Sequence, residues 1–144
     1  MPGGKGSTFE NDLLRLIFNG DAIANIADNA ASGPLVVLYL SLHTADPGEG
    51  GAQTTSEAAY GGYTRMPVPR NTTGFTVAGS SVTLTASIIF PVASGGSETE
   101  TWAGVGTTLS AGGKILYRGP ITPPLVITTG VAPQLTTGTT ITES

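Results

Sequence analysis

The 144-residue chain contains no cysteine and a single histidine, and only 11% of its residues are charged, against about 25% in a typical soluble domain. Without cysteine there is no disulfide, no thiolate metal site and no cysteine nucleophile. Six lysines and arginines against ten acidic residues give a net charge of -4, so no basic surface is available to hold nucleic acid.

Long hydrophobic runs are also missing. The longest, residues 35–40, is far shorter than the roughly 20 residues needed to span a bilayer. The N-terminus has no basic stretch followed by an apolar one, so we expect neither a secretory signal nor a membrane partner. With 39% hydrophobic residues and a mean hydropathy of +0.16, the composition favours a folded domain over a disordered segment.

One or two short helices are predicted over residues 8–31, because apolar residues recur there at helical spacing. The first run ends at Asn19-Gly20, a typical stop signal. Its apolar positions are Leu13, Leu14, Ile17 and Phe18. We therefore expect an N-terminal arm with short helices over residues 1–33, followed by a β-sandwich over residues 34–144 within one domain overall.

From residue 34 onward, short strands alternate with turns rich in glycine and proline. Residues 35–42 are typical of a strand buried on both faces, residues 63–68 carry the proline of an edge strand, and residues 81–90 alternate with period two. Further strands are predicted at 75–77, 99–107, 114–117, 125–128 and 139–142. This pattern predicts an all-β fold, a jelly-roll-like antiparallel β-sandwich with a short helical N-terminal segment, with an immunoglobulin-like topology as the alternative.

Residues 43–62 form a long irregular segment, and a loop of that length inside a compact domain is often functional. His43 lies two residues after Ser41 and three before Asp46, and a Ser-His-Asp triad needs these residue types. Many strands offer the same spacing by coincidence. We therefore expect His43 to bond a nearby carbonyl, Asp46 to cap a turn, and the protein not to be an enzyme.

Other motifs fall short of the chemistry that they suggest. Residues 104–106 (GVG) lack the third glycine of a dinucleotide-binding loop, and residues 112–114 (GGK) lack the spacing of a phosphate loop. Glu98 and Glu100 point to one side of a predicted strand, but their polar neighbours predict a solvated surface and no raised pKa. One histidine and no cysteine predict no metal and no cofactor.

Several segments together resemble a family of small structural proteins from the virions of tailed bacteriophages. The resemblance runs from about residue 12 to the end, and its most specific part is the LHTADPG run at 42–48. The matching segments are 16–20 (LIFNG), 22–31 (AIANIADNAA), 38–48 (LYLSLHTADPG), 57–65 (EAAYGGYTR), 74–77 (GFTV), 89–91 (IFP), 104–107 (GVGT) and 112–117 (GGKILY). The resemblance implies a virion structural role without catalytic residues.

Members of this family are often labelled tail fibre proteins, and small jelly-roll proteins of tailed phages also act as cement or decoration proteins on the head. We expect a cement protein that binds the capsid surface and bridges subunits of the major capsid protein. A tail-fibre or baseplate adaptor is the alternative, in one version touching glycan through Trp102, Tyr60 or Tyr63. Self-association into dimers or trimers is expected, because edge strands need cover.

The predicted contact residues lie in the N-terminal segment and around the long loop. Two of them, Arg65 and Arg70, bracket the predicted edge strand, and arginine is enriched at the buried centres of interfaces. A solvated edge guarded by charge is the alternative for this pair. The full set is Leu16, Phe18, His43, Asp46, Tyr60, Tyr63, Arg65 and Arg70.

Overall fold

A computed structural model describes residue 5, residues 7–23 and residues 34–142 of the chain. These residues fall into two compact units. The first unit comprises the described residues up to 37, together with 69–87 and those from 136 onward; the second comprises 38–68 and 88–135. The predicted boundary at residue 33 stays a prediction, because residues 24–33 lie outside the described part.

The N-terminal segment is helical and ends where predicted. Helix α1 spans Ser7–Leu14 and continues into a π-helical turn over Arg15–Asn19. Gly20 then adopts a left-handed conformation with φ of +75°, which glycine accepts without steric cost, and closes the helix. The second predicted helical run, residues 22–30, lies almost entirely outside the described residues.

The remaining regular elements of the described residues are all strands, which confirms the all-β class with one short N-terminal helix. The strands are β1 Val37–His43, β2 Met66–Pro69, β3 Phe75–Ala78, β4 Ser81–Leu84, β5 Ile88–Ile89, β6 Glu98–Gly106, β7 Ile115–Ile127, β8 Gln134–Leu135 and β9 Thr140–Thr142. They pair in the orders β2-β1-β6-β7, β3-β4-β9 and β5-β8. The jelly-roll arrangement itself stays a prediction.

Unit one packs the N-terminal helix against its small sheet. Leu14 and Phe18 are fully buried, and the Phe18 ring meets the edge of Phe75 at 4.8 Å between centroids. Val82 on β4 completes this core at 1% exposure. The Asn19 side chain donates to the carbonyl of Phe75 at 3.0 Å and so holds the helix end at the start of β3.

The predicted strand over 81–90 is divided into β4 and β5 by residues 85–87, which are not in a strand. The hydroxyl of Thr85 donates to the carbonyl of Thr72 at 3.2 Å, and its backbone N–H bonds Gly74. Within β4 the predicted alternation is confirmed, since Val82 and Leu84 are buried between less buried neighbours.

Both edges of the four-stranded sheet in unit two carry prolines. Strand β2, predicted as an edge strand, lies at one edge with Pro67 and Pro69, and β7 lies at the other with Pro120, Pro123 and Pro124. Proline has no backbone N–H to donate to an added strand. Local chemistry therefore protects these edges, which weakens the argument that they need cover from another copy of the chain.

Candidate functional site

The irregular segment predicted over residues 43–62 begins one residue later, because His43 is the last residue of β1. Residues 44–62, which we call the latched loop, are fastened to the rest of unit two at several points. Backbone bonds link Ala58 to Leu42 at 2.9 Å, Gln53 to Gly113 at 2.9 Å, and Gly61 to residues 94 and 95 at 2.9 and 2.8 Å. A further bond, from Thr44 to Ser56 at 2.8 Å, holds the loop to itself. Regular strands are absent from this loop, so side chains supply most of the remaining fastening.

Three glycines make room for the side chains that fasten the loop. A Cβ atom at Gly104 would lie 2.9 Å from the Ser41 hydroxyl, and one at Gly106 or Gly113 would come closer than 3.0 Å to the carboxamide of Gln53. Real Cβ atoms essentially never approach other atoms so closely. The glycine motifs of the sequence thus accommodate buried polar groups.

Gln53 is the most fully bonded side chain of the loop, and the sequence did not single it out. It is 0% exposed. Its Oε1 accepts the backbone N–H groups of Thr107 and Thr108, each at 3.0 Å, and the Thr108 hydroxyl at 3.1 Å. Its Nε2 donates to the carbonyl of Thr108 at 3.3 Å. Gln53 therefore ties the loop to the turn that follows β6.

His43 bonds a carbonyl, as predicted. Its Nδ1 lies 2.9 Å from the carbonyl oxygen of Thr55, and its Nε2 lies 2.8 Å from the hydroxyl of Ser41. Because a carbonyl only accepts, Nδ1 carries the proton and Ser41 donates to Nε2. Both residues are 0% exposed. Asp46 is not part of this group, so the geometry forms a buried Ser-His pair without the acid of a triad and without access for a substrate.

In the folded protein the pKa of His43 lies below 6.5, because burial lowers it more than the bond to Thr55 raises it. The unfolded chain takes up a proton near pH 6.5. Between that pH and the lower pKa of the folded state, the unfolded chain holds more protons. Acidification there reduces the free energy of unfolding by at most about 1.4 kcal/mol per pH unit.

The single histidine makes this prediction simple to measure. Its Hε1 resonance in a proton NMR titration is unambiguous, and the expected midpoint lies below 6.5. The variant His43→Gln lacks the titrating group, so the stability difference between wild type and variant should change with pH only in the acidic range. A midpoint at or above 6.5 in the folded protein contradicts the prediction.

Arg65 forms the strongest ionic contact of the latched loop. Its side chain is 2% exposed and donates two hydrogen bonds to Glu57, from Nε to Oε1 at 2.6 Å and from Nη2 to Oε2 at 2.8 Å. The other three N–H groups donate to the carbonyl and hydroxyl of Thr108, at 3.0 and 3.2 Å, and to the carbonyl of Ala111 at 2.8 Å. All five guanidinium donors are thereby used.

Tyr63 joins the same group through its hydroxyl. It donates to Glu57 Oε1 at 3.0 Å and accepts the backbone N–H of Leu42 at 3.1 Å. Burial is the largest cause that raises the pKa of Tyr63. Its ring stacks on Phe90 and meets Tyr60 edge to face, at 6.3 and 5.4 Å between centroids. The tyrosine therefore joins the ionic group to an aromatic cluster.

A shallow cavity of about 260 Å³ opens beside this group. Glu57, Tyr63 and Arg65 form its polar side, and the half-exposed side chain of Leu109 lies on its rim. Since Arg65 has no donor left over, the cavity offers a ligand few unused polar groups.

Asp46 lies at the exposed tip of the latched loop and caps a turn, as predicted. Its Oδ1 accepts the backbone N–H of Gly48 at 2.9 Å and pairs with Arg118 Nε at 2.8 Å. The Arg118 guanidinium in turn lies over the Trp102 ring, 5.9 Å from its centroid. This cation–π contact occupies one approach to the only tryptophan. Asp46 thus anchors the loop tip to β7.

In unit one, the guanidinium of Arg70 donates hydrogen bonds to three backbone carbonyls. It is therefore not a charge that simply faces solvent at a sheet edge. Its Nε donates to Ile17 at 2.6 Å, Nη1 donates to Leu35 at 2.9 Å, and Nη2 donates to Leu16. These carbonyls belong to the π-helical turn and to the segment before β1. Arg70 consequently joins two separate stretches of the chain, which a charge facing solvent would not do.

Glu98 and Glu100 correct a prediction. Their surface was expected to be solvated without a raised pKa, yet Glu100 is 0% exposed and its pKa is raised to about 8, chiefly by burial and then by Glu98. Glu98 Oε1 accepts the backbone N–H groups of Ala59 and Tyr60, each at 2.8 Å. The polar neighbours in sequence were misleading, because alternate residues of a strand face opposite sides.

Half of the eight predicted contact residues are buried, and three others are partly buried. Among them, Phe18, His43, Tyr60 and Arg65 are at most 3% exposed, and Asp46 is the clearly exposed one. His43, Tyr63 and Arg65 lie in the group that fastens the latched loop, whereas Leu16 and Arg70 lie in unit one. That these residues contact a partner stays a prediction; their observed contacts shape the surface from beneath.

No three histidine or acidic side chains of the described residues are grouped closely enough to hold a metal ion. No helix of the same residues has the length and hydropathy to cross a bilayer.

Comparison with known families identifies the class to which this architecture belongs. A family model matches residues 6–143, nearly the whole chain, and shows that the protein is a structural protein of a bacteriophage virion. The family is described as podophage GP4 fiber I protein gp80, and the chain belongs to it. A search of curated proteins found no match.

Proposed function

We propose that the protein is a structural component of the tail-fibre apparatus of a short-tailed phage, where it binds other virion proteins. The observation that carries the proposal is the family match over residues 6–143, whose description names a podophage fiber protein. This supports the fibre or baseplate alternative of the sequence analysis more than the head-cement hypothesis.

The geometry of unit two supports a binding role that depends on rigidity. Buried polar bonds from Gln53, His43 and Arg65 hold the latched loop, so its exposed tip near Asp46 has little freedom left to lose on binding. A surface that is already ordered avoids the entropy cost of ordering during association. Low charge helps as well, since few ions need to be desolvated.

We also propose that the protein has no catalytic activity. The strongest enzymatic candidate is the Ser41–His43 pair, and both side chains are fully buried. A nucleophile must reach its substrate, whereas the Ser41 hydroxyl and the His43 ring contact each other and the carbonyls of Gly104 and Thr55. The support for this proposal lies in what the pair does contact, the carbonyl of Thr55.

Location in the particle tests the main proposal. We expect quantitative mass spectrometry of separated heads and tails to find the protein with the tails, in copy numbers close to those of the fibre proteins. The major capsid protein and a known tail protein serve as controls for separation. Hundreds of copies on heads, and none on tails, would overturn the proposal in favour of head cement.

A further inference from the structure

Two carboxyl groups lie together on alternate residues of β6. Glu98 binds the backbone N–H groups of Ala59 and Tyr60, and these two bonds hold the turn of the latched loop at residues 58–61. Glu100 is fully buried, and no N–H or O–H donor of the described residues reaches either of its oxygens. A buried carboxylate that is ionised and accepts no hydrogen bond costs a large amount of free energy, so the negative charge of Glu100 has to be neutralised.

Among the described residues, the titratable groups that face Glu100 include no cation, so a bound proton is what neutralises it. The titratable groups that face it are Glu98, on the same strand, and Tyr60, from the latched loop. Leu125 lies opposite Glu100 on β7, and the Tyr60 hydroxyl donates to the carbonyl of Pro91. Two neighbouring carboxylates cannot both ionise cheaply, but a protonated Glu100 donates a hydrogen bond to Glu98.

We propose that the Glu98–Glu100 carboxyl pair is a proton-operated latch, in which one shared proton keeps the Ala59–Tyr60 backbone bound to Glu98. Loss of the proton places two negative charges side by side. Glu98 is the partly exposed member of the pair, so it is the one that moves toward solvent. Its departure breaks both backbone bonds and frees residues 58–61.

The pKa of Glu100, near 8, sets the pH at which the latch opens. Tyr60 stays protonated there, because burial and the two carboxyl groups raise its pKa to about 12. The folded chain binds more protons than the unfolded chain between about pH 4.5 and 8, so stability falls as the pH rises through that window. The inference does not depend on where the protein sits in the virion.

Amide hydrogen exchange measured by NMR tests the latch. After correction for the intrinsic exchange rates, we expect the protection of Ala59 and Tyr60 in the wild type to fall about tenfold per pH unit as the pH rises toward 8, and to be lost above it. In Glu100→Gln the carboxamide still donates to Glu98 and does not ionise, so protection should stay constant over the same range. Glu49→Gln, the same substitution at an exposed position, should behave like the wild type.

Two outcomes would overturn the proposal: protection that does not change from about pH 7 to about pH 9 in the wild type, or an equal loss in Glu100→Gln. The carbon-13 resonance of the Glu100 carboxyl in the wild type gives a measurement that needs no variant. Titration of that carbon near 8 supports the latch, and titration near 4.5 sinks it.

Discussion

Replacing Arg65 with alanine is expected to lower the free energy of unfolding by about 3–5 kcal/mol, the largest loss for any ion pair of the described residues. The substitution leaves the Glu57 carboxylate without its bidentate partner in a group that is only 15% exposed. It also removes the donors to the carbonyls of Thr108 and Ala111. Urea denaturation followed by circular dichroism measures the loss.

A matched arginine on the surface provides the control. Arg15 pairs with Asp21 at 3.6 Å, and their side chains are 48% and 55% exposed, so Arg15→Ala should cost less than about 1 kcal/mol. Arg65→Lys keeps the charge but cannot reproduce the five-donor fork, and should lose most of the same stability. If Arg65→Ala costs no more than Arg15→Ala, the ionic group does not fasten the loop.

Local patterns in the sequence correctly predicted the features that depend on neighbouring residues. The helix stop at Asn19-Gly20, the alternation of β4 and the edge strand with its prolines were all predicted by chemistry within a few positions. The same holds for the carbonyl bonded by His43 and the turn capped by Asp46. Each of these features depends on a short-range constraint of the backbone.

Strand β7 shows where the same reasoning fails. Two separate strands were predicted, at 114–117 and 125–128, and three prolines lie between them. The structure has one strand, Ile115–Ile127. Prolines are tolerated at the edge of a sheet, and β7 lies at such an edge. The edge position is a property of the whole sheet, so no local pattern could supply it.

The hydrogen bonds that Gln53 and Arg65 make to Thr108 were not predicted, for a related reason. Arg65 and Thr108 are 43 residues apart in sequence, and Gln53 and Thr108 are 55 apart. Nothing in the neighbourhood of Gln53 marks it as buried. The usable signal was the pair Gly104 and Gly106, alternate residues of one strand, since glycine inside a strand often marks the close approach of another group.

Replacing Gly106 with alanine is expected to be strongly destabilising. A Cβ at this position would press into Gln53, whose side chain is fully buried and cannot swing into solvent without releasing Thr107 and Thr108. Overpacking and the loss of acceptors for two N–H groups together should make Gly106→Ala cost about 2–4 kcal/mol. Gly119→Ala on β7, where a Cβ has open space, should stay within about 0.5 kcal/mol.

A double-mutant cycle shows whether the glycine is there for Gln53. Gln53→Ala alone is destabilising, because the backbone N–H groups of Thr107 and Thr108 lose their acceptor. In that background the side chain that a Cβ at residue 106 would meet is absent, so Gly106→Ala should add little further loss. The two changes should therefore be strongly non-additive in urea denaturation. Additive losses would mean that Gly106 is not needed to accommodate Gln53. The latched loop would then not depend on the missing side chain at residue 106.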